Sequence, residues 1–178
     1  MIKHLIFDFD GVIIDSEILA AKAFADTLIS MKINSKYSKE IIAEKFAGNK
    51  MIKVAEEICL HHGIKDNRSF LNRVMKLVSD TFEKQLEPVI GISDFLKKNN
   101  LDRYICSNSG KKRIIQGLKK IELDSFFKNN KIYTFEMVDN PKPSPDVYTK
   151  VIEDNKLIKE EVLVLEDSIP GVTAAVLA

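Results

Sequence analysis

Apolar and polar positions follow two different rhythms along this chain, and the change of rhythm divides it. Residues 3 to 9, "KHLIFDF", carry the run Leu5-Ile6-Phe7 and then turn abruptly acidic, which reads as a strand ending in a carboxylate-rich turn at Gly11. From Glu17 to about Leu86 no strand pattern occurs and helical spacing takes over. Ala20, Phe24, Leu28 and Met31 lie close to one face, as do Phe70, Val74, Leu77 or Val78, and Phe82. That stretch predicts some four helices, punctuated by Gly63 and the polar Lys65-Asp66-Asn67.

After Pro88 strand and helix alternate. "GISDFLKKNN" reads as an amphipathic helix, "RYICS" as a strand, "KKRIIQGLKKIEL" as a helix on Ile114, Leu118 and Ile121, and "KIYTF" as a strand. Ser144 is placed to cap a helix with Pro145 at its first position, and "VLVLED" reads as a strand buried on both faces. Such alternation implies an α/β domain with a parallel sheet and right-handed crossovers. The helical block interrupts that domain directly after its first strand.

Composition narrows the class without naming a function. A chain of 178 residues, 45% hydrophobic and 30% charged, can bury a proper core without disulfides. Its formal net charge of +1 gives no nucleic-acid footprint, and no apolar run is long enough for a membrane span. Cys59 and Cys106 lie far apart with no CxxC spacing, and the N-terminus turns acidic too early for a signal peptide, so a cytoplasmic location is expected. The Asn67-Arg68-Ser69 glycosylation pattern then has no consequence.

Four polar clusters fall at or just past the carboxyl ends of strands: Asp8 with Asp10, Ser107 with Asn108, Lys142, and Glu166 with Asp167. In open parallel sheets that rim is where ligands bind. Each cluster has a plainer reading: Asp8 and Asp10 as the solvent face of an amphipathic strand, Ser107-Asn108 as turn chemistry, Lys142 as a surface lysine, Glu166-Asp167 as a solvated cap. Their coincidence at one sheet edge is harder to explain that way. The set suits phosphoryl transfer. A carboxylate attacking a phosphate dianion at about 4 Å meets roughly 8 kcal/mol of repulsion at an effective dielectric near 20, so positive charge must offset it. One Mg²⁺ held by carboxylates of two strand ends, with one lysine, would supply that charge, and hydroxyl and backbone N–H groups would orient the phosphate oxygens. Lys142 is flanked by Pro141 and Pro143, which restrict the loop that aims it. The second aspartate of the first loop is left to protonate the leaving oxygen.

The segments "FDFDGVIIDSE", "ICSNS", "NPKPSPDVY" and "VLVLEDSIPGV" closely resemble the four ordered motifs of the haloacid dehalogenase superfamily of phosphatases, over nearly the whole chain. The resemblance implies a Rossmann-like core from residues 1–16 and 87–178 with an inserted all-helical cap at 17–86, as in the subgroup containing β-phosphoglucomutases and sugar-phosphate phosphatases. It implies Asp8 as nucleophile forming an aspartyl-phosphate and Asp10 as general acid. Asp8, the backbone carbonyl of Asp10, and Asp167 would hold Mg²⁺, with Glu166 as a further or outer ligand. Ser107, Asn108 and Lys142 would bind phosphate, and Asn49 and Lys50 of "AGNKMIK" would face an anionic or hydroxylated substrate. Mutases of this subgroup tend to carry a histidine shortly after the first loop and an arginine in the cap loop, where Ala20 and Met51 stand here. The expectation is therefore a phosphatase of a small phosphorylated metabolite, with a phosphosugar mutase or a catalytically weak, truncated family member as alternatives. Relatives of this kind usually continue past "EDSIPGVTAAVLA" with a further core strand. The C-terminal part of the core is thus expected to be missing, leaving Val162 to Leu165 as an open edge for self-association. Cys106 and the histidines His4, His61 and His62 are assigned no chemistry.

Overall fold

The computed structural model of the protein describes residues 1–46 and 51–178. Strand β1 (His4–Phe7) precedes four helices, α1 (Ser16–Ser30), α2 (Lys39–Phe46), α3 (Met51–His62) and α4 (Asn67–Gln85). Then come α5 (Ile92–Lys98), β2 (Asp102–Ser107), α6 (Lys111–Lys120), β3 (Ile132–Thr134), α7 (Asp146–Asn155), β4 (Val162–Leu165) and α8 (Ile169–Leu177). The chain divides into two compact units, Met1–Asp15 with Glu87–Ala178, and Ser16–Leu86.

The first unit holds one parallel sheet in the order β3-β2-β1-β4. Register brings Phe7 beside Ile105 and Leu165, so the next residues along the three strands, Asp8, Cys106 and Glu166, reach one rim together. Side chains alternate across β1, as the two-residue period requires. On one face the Phe7 ring meets Phe127 edge-on at 5.6 Å and Phe95 at 6.2 Å. On the other, Ile6, Tyr104 and Cys106 pack with Val147, Tyr148 and Val151 of α7 and Ala174 of α8. Helices thus cover both faces of β1, and its apolar residues Leu5, Ile6 and Phe7 are buried.

Two local expectations need correcting. β4 is the edge strand, as the expected open edge at Val162 to Leu165 has it, but it is not buried on both faces: its residues are partly open, Leu163 being 47% exposed. A continuous apolar run fits an edge as well as a centre, because the run cannot encode how many neighbours it has. The helix after Ser144 begins at Asp146, with Pro145 in the cap position, and the Ser144 hydroxyl donates to the Asp146 carboxylate rather than capping a backbone N–H.

The second unit is all helical. Phe24 of α1 meets Phe70 of α4 with ring centroids 6.0 Å apart, and Leu28, Ile58, Cys59 and Val74 fill the same core. Asp66 caps α4 by accepting from the Ser69 N–H at 2.9 Å. Among the described residues, no helix is long and apolar enough to cross a membrane. Both cysteines are free and buried.

Candidate active site

The sheet ends in charge at β1. The Asp8 N–H still donates to the Leu165 carbonyl at 2.9 Å, continuing the ladder one residue beyond the strand, so the Asp8 backbone is fixed before its side chain is considered. Asp8 itself is 8% exposed. The chain then turns through Gly11 at φ +80°, a conformation costly for any residue with a Cβ. Space gives a second reason for glycine: a Cβ there would lie 1.9 Å from Asp167 Oδ2.

Lys142 reaches this rim from the loop between β3 and α7. Its Nζ donates to Asp8 Oδ1 at 2.7 Å, to the Cys106 carbonyl at 2.7 Å and to Glu166 Oε1, and the residue is 7% exposed. Asn108 holds the backbone behind it. The Lys142 N–H donates to Asn108 Oδ1 at 3.0 Å, and Asn108 Nδ2 donates to the Lys142 carbonyl at 3.2 Å. One amide side chain therefore pairs with both backbone groups of the lysine, which fixes the base of an otherwise flexible cation.

Glu166 is tied on both oxygens. Oε1 accepts from Lys142 and from the Tyr148 hydroxyl at 2.9 Å, and Oε2 accepts from Ser168 Oγ at 3.1 Å and from the N–H groups of Asp167 and Ser168. Gly171 of α8 leaves room for it, since a Cβ there would sit 1.9 Å from Oε1. Asp8, Glu166 and Asp167 bring carboxylate oxygens within 4.8 Å of one another, a cluster of hard donors that suits a divalent cation bound through oxygen.

Burial raises the Asp8 pKa to about 7; the neighbouring charges of Glu166 and Asp10 push the same way, and Lys142 opposes them without winning. Burial also works against the charge of Glu166, yet the Lys142 hydrogen bond and charge, with Tyr148 and the Ser168 backbone, hold its pKa below the ordinary carboxylate range. Lys142 pairs with Asp8 and Glu166 of the carboxylate cluster, and a divalent cation would offset more of the cluster's negative charge. Burial pushes the Cys106 thiol far up, keeping it protonated and inert, and likewise the Tyr148 phenol, which stays protonated and donates to Glu166.

Ser107 ends β2, 1% exposed, with its Oγ accepting the Ser109 N–H at 3.1 Å. Two residues given no role in the sequence reading follow, Ser109 at the end of the second motif and Arg113 in the first turn of α6. Ser109 Oγ donates to Asp10 Oδ2 at 2.6 Å, and Arg113 donates from Nη1 to Oδ2 at 2.7 Å and from Nη2 to Oδ1 at 2.9 Å. The Asp10 carboxylate faces that pair, while Asp8, Glu166 and Asp167 form the acidic cluster. A signal for Arg113 was present in the sequence. Lys111, Lys112 and Arg113 crowd the first turn of α6, where the helix dipole favours anions, and no acidic residue stands there to answer them. Asn49 and Lys50 lie outside the described residues, whereas Asp8, Asp10, Ser107, Asn108, Lys142, Glu166 and Asp167 all belong to the sheet unit.

Comparison with known proteins gives concordant matches. The family model described as haloacid dehalogenase-like hydrolase matches residues 5–178. A phosphorylated carbohydrates phosphatase from Thermotoga maritima is 26% identical over 184 residues, covering 97% of this chain and 80% of the relative. The (DL)-glycerol-3-phosphatase 2 of Arabidopsis thaliana is 28% identical over 186 residues, covering 98% and 75%. Among solved structures, a conserved haloacid dehalogenase-like protein of unknown function from Agrobacterium tumefaciens superposes with a TM-score of 0.84 at 29% identity, covering 98% of this chain and 78% of its own.

Proposed function

Because this chain belongs to the haloacid dehalogenase-like hydrolase family, we propose that it is a Mg²⁺-dependent phosphatase of a small phosphorylated metabolite, a sugar or polyol phosphate, working through an aspartyl-phosphate on Asp8. The observation that carries this reading is the buried Lys142 shared by Asp8 and Glu166 at the strand ends, with Asp167 completing the carboxylate cluster. The relatives that act on phosphorylated carbohydrates and glycerol 3-phosphate support the substrate class.

In the first step an Asp8 carboxylate oxygen bonds to phosphorus as the bond to the substrate oxygen breaks, and the Asp10 proton passes to that leaving oxygen. In the second, Asp10 takes a proton from water as the water oxygen displaces Asp8 from phosphorus. Lys142, the Ser107 hydroxyl and the Asn108 backbone N–H bind the phosphoryl oxygens and offset the charge that separates nucleophile from substrate. Asp8, Asp167 and the Asp10 carbonyl would hold Mg²⁺, with Glu166 outside them, and the ion when bound supplies further positive charge beside the phosphoryl group. Five acceptor contacts already occupy Glu166, which favours an outer role for it. Every one of these residues lies in the sheet unit, so the reading leaves choice of the substrate's remainder to the helical insertion, acting as a cap.

The test is phosphate release from a panel of hexose and glycerol phosphates and pyrophosphate, with and without chelator, by the wild type and Asp8→Asn. Release that needs Mg²⁺ and falls by more than about a thousandfold in Asp8→Asn is expected, since the amide is no nucleophile. Conversion of a hexose phosphate into its positional isomer, without free phosphate, would overturn the phosphatase reading in favour of a mutase.

A further inference from the structure

We propose that Arg113, together with Ser109, is the positioning pair for Asp10, holding the proton-transferring carboxylate in one orientation while touching neither the substrate nor the nucleophile's phosphate. The inference rests on the phosphatase reading and adds Arg113, which lies outside the four motifs, and a role for Ser109, which the motif reading left without one. Its basis is a three-point clamp: two parallel bonds from the guanidinium to the two Asp10 oxygens, and a third from the Ser109 hydroxyl. Arg113 Nη1 also donates to Ser109 Oγ at 2.6 Å, so the clamp is closed on itself.

Stability alone does not account for this arrangement. The Arg113 and Asp10 side chains are 36% and 32% exposed, a setting in which an ion pair contributes little to folding. The cation also stands in the first turn of α6, against the helix dipole. What a bidentate fork does supply is direction, because its plane and that of the carboxylate are locked together. An Asp side chain without such partners moves among staggered rotamers, whereas a general acid must stay within hydrogen-bond reach of the leaving oxygen. Ser109 links the clamp to the phosphate side as well, since its own N–H donates to Ser107 Oγ. The loop from β2 into α6 therefore ties Asp10 to the same segment that carries Ser107. In each turnover the Asp10 proton goes to the leaving oxygen and is replaced from the attacking water; Arg113 loses and gains none.

The experiment compares kcat/KM for glycerol phosphate and for p-nitrophenyl phosphate, both reporting on the step in which the leaving group departs. Variants are Arg113→Met, Arg113→Lys, Ser109→Ala, Asp10→Asn and the double variant Asp10→Asn with Arg113→Met. A misoriented acid predicts a loss of about 10–100-fold on the alkyl ester for Arg113→Met. The same variant should keep within about threefold on the nitrophenyl ester, whose leaving group needs little proton assistance. Arg113→Lys, which keeps the charge but not the fork, should recover part of the loss. In the Asp10→Asn background Arg113→Met should add nothing, since its target is gone. Equal losses on both esters, or full additivity in the double variant, overturn the proposal, as does an Arg113→Met enzyme indistinguishable from wild type. If Arg113→Met melts far below wild type, Arg113→Lys and Ser109→Ala decide by the same ratio of esters. A wild type that releases phosphate from no monoester overturns the phosphatase reading itself, whereas an active wild type with an insensitive Arg113 overturns this inference alone.

Discussion

At the scale of single residues, charge in an improbable place was the informative signal. Asp8, Lys142 and Glu166 stood out in the sequence because ionisable groups at the ends of apolar strands need partners, and the structure brings these three into direct contact. Ser109, Arg113 and Tyr148 did not stand out. Their types are ordinary in a loop and in helices, and the partners that give them meaning come from segments far away in the chain. Lys142→Ala should therefore act twice. It leaves Asp8 and Glu166 facing each other without their shared cation, a change that costs about 3–5 kcal/mol when a buried pair loses one member. On the proposed mechanism it also removes a donor to the phosphoryl group, for a further loss of about 100–1,000-fold in kcat. Urea unfolding and steady-state kinetics on the same preparation separate the two effects. Gly11→Ala forces a side chain into a left-handed turn and onto Asp167 Oδ2. The expected result is a higher Mg²⁺ concentration for half-maximal activity, read from a metal titration, with the displaced Asp167 as its cause.

At the scale of elements, periodicity placed the helices and strands well, and failed where it carries no information. The face Phe24, Leu28, Phe70 and Val74 is buried as its spacing predicts, because a 3.6-residue period can be satisfied only by a helix against a core. The apolar run of β4 read by itself predicted burial on both faces; the open edge was expected from the family resemblance and not from periodicity. Nor did the sequence distinguish Pro145 at the cap position from Pro145 inside α7, a matter of one residue that local propensity does not resolve. The start of α8 is better determined. Ser168 accepts from the Gly171 N–H at 3.1 Å while donating to Glu166, and Pro170 lies in the first turn. Ser168→Ala should cost about 1 kcal/mol through the lost cap, seen as a lower melting temperature. It should also loosen Glu166, so activity is expected to fall more than the stability loss alone implies.

At the scale of the whole molecule, protection within the sheet should be uneven. β1 is bonded on both sides and its apolar residues are buried, whereas β4 pairs only with β1 and Leu163 is 47% exposed. Amide hydrogen exchange followed by mass spectrometry should show β4 opening well before β1, since opening free energy follows burial and the number of bonded neighbours. The same edge bears on association, because an uncovered apolar edge can template a second chain. Sedimentation over a range of concentrations should show larger species for the wild type and fewer for Leu163→Lys.

The three donors of the Lys142 ammonium all have acceptors, on Asp8, Cys106 and Glu166, and its Nζ also lies 4.9 Å from the centre of the Tyr148 ring. An amine-reactive reagent needs a path to the nitrogen, and this one, buried among its three acceptors, offers none while the protein is folded. Under brief acetylation the exposed lysines should label first and Lys142 last, with its modification appearing only as the sheet unit unfolds. Peptide mapping after acetylation in increasing urea would then turn Lys142 into an internal reporter of folding, without a substitution or an added dye.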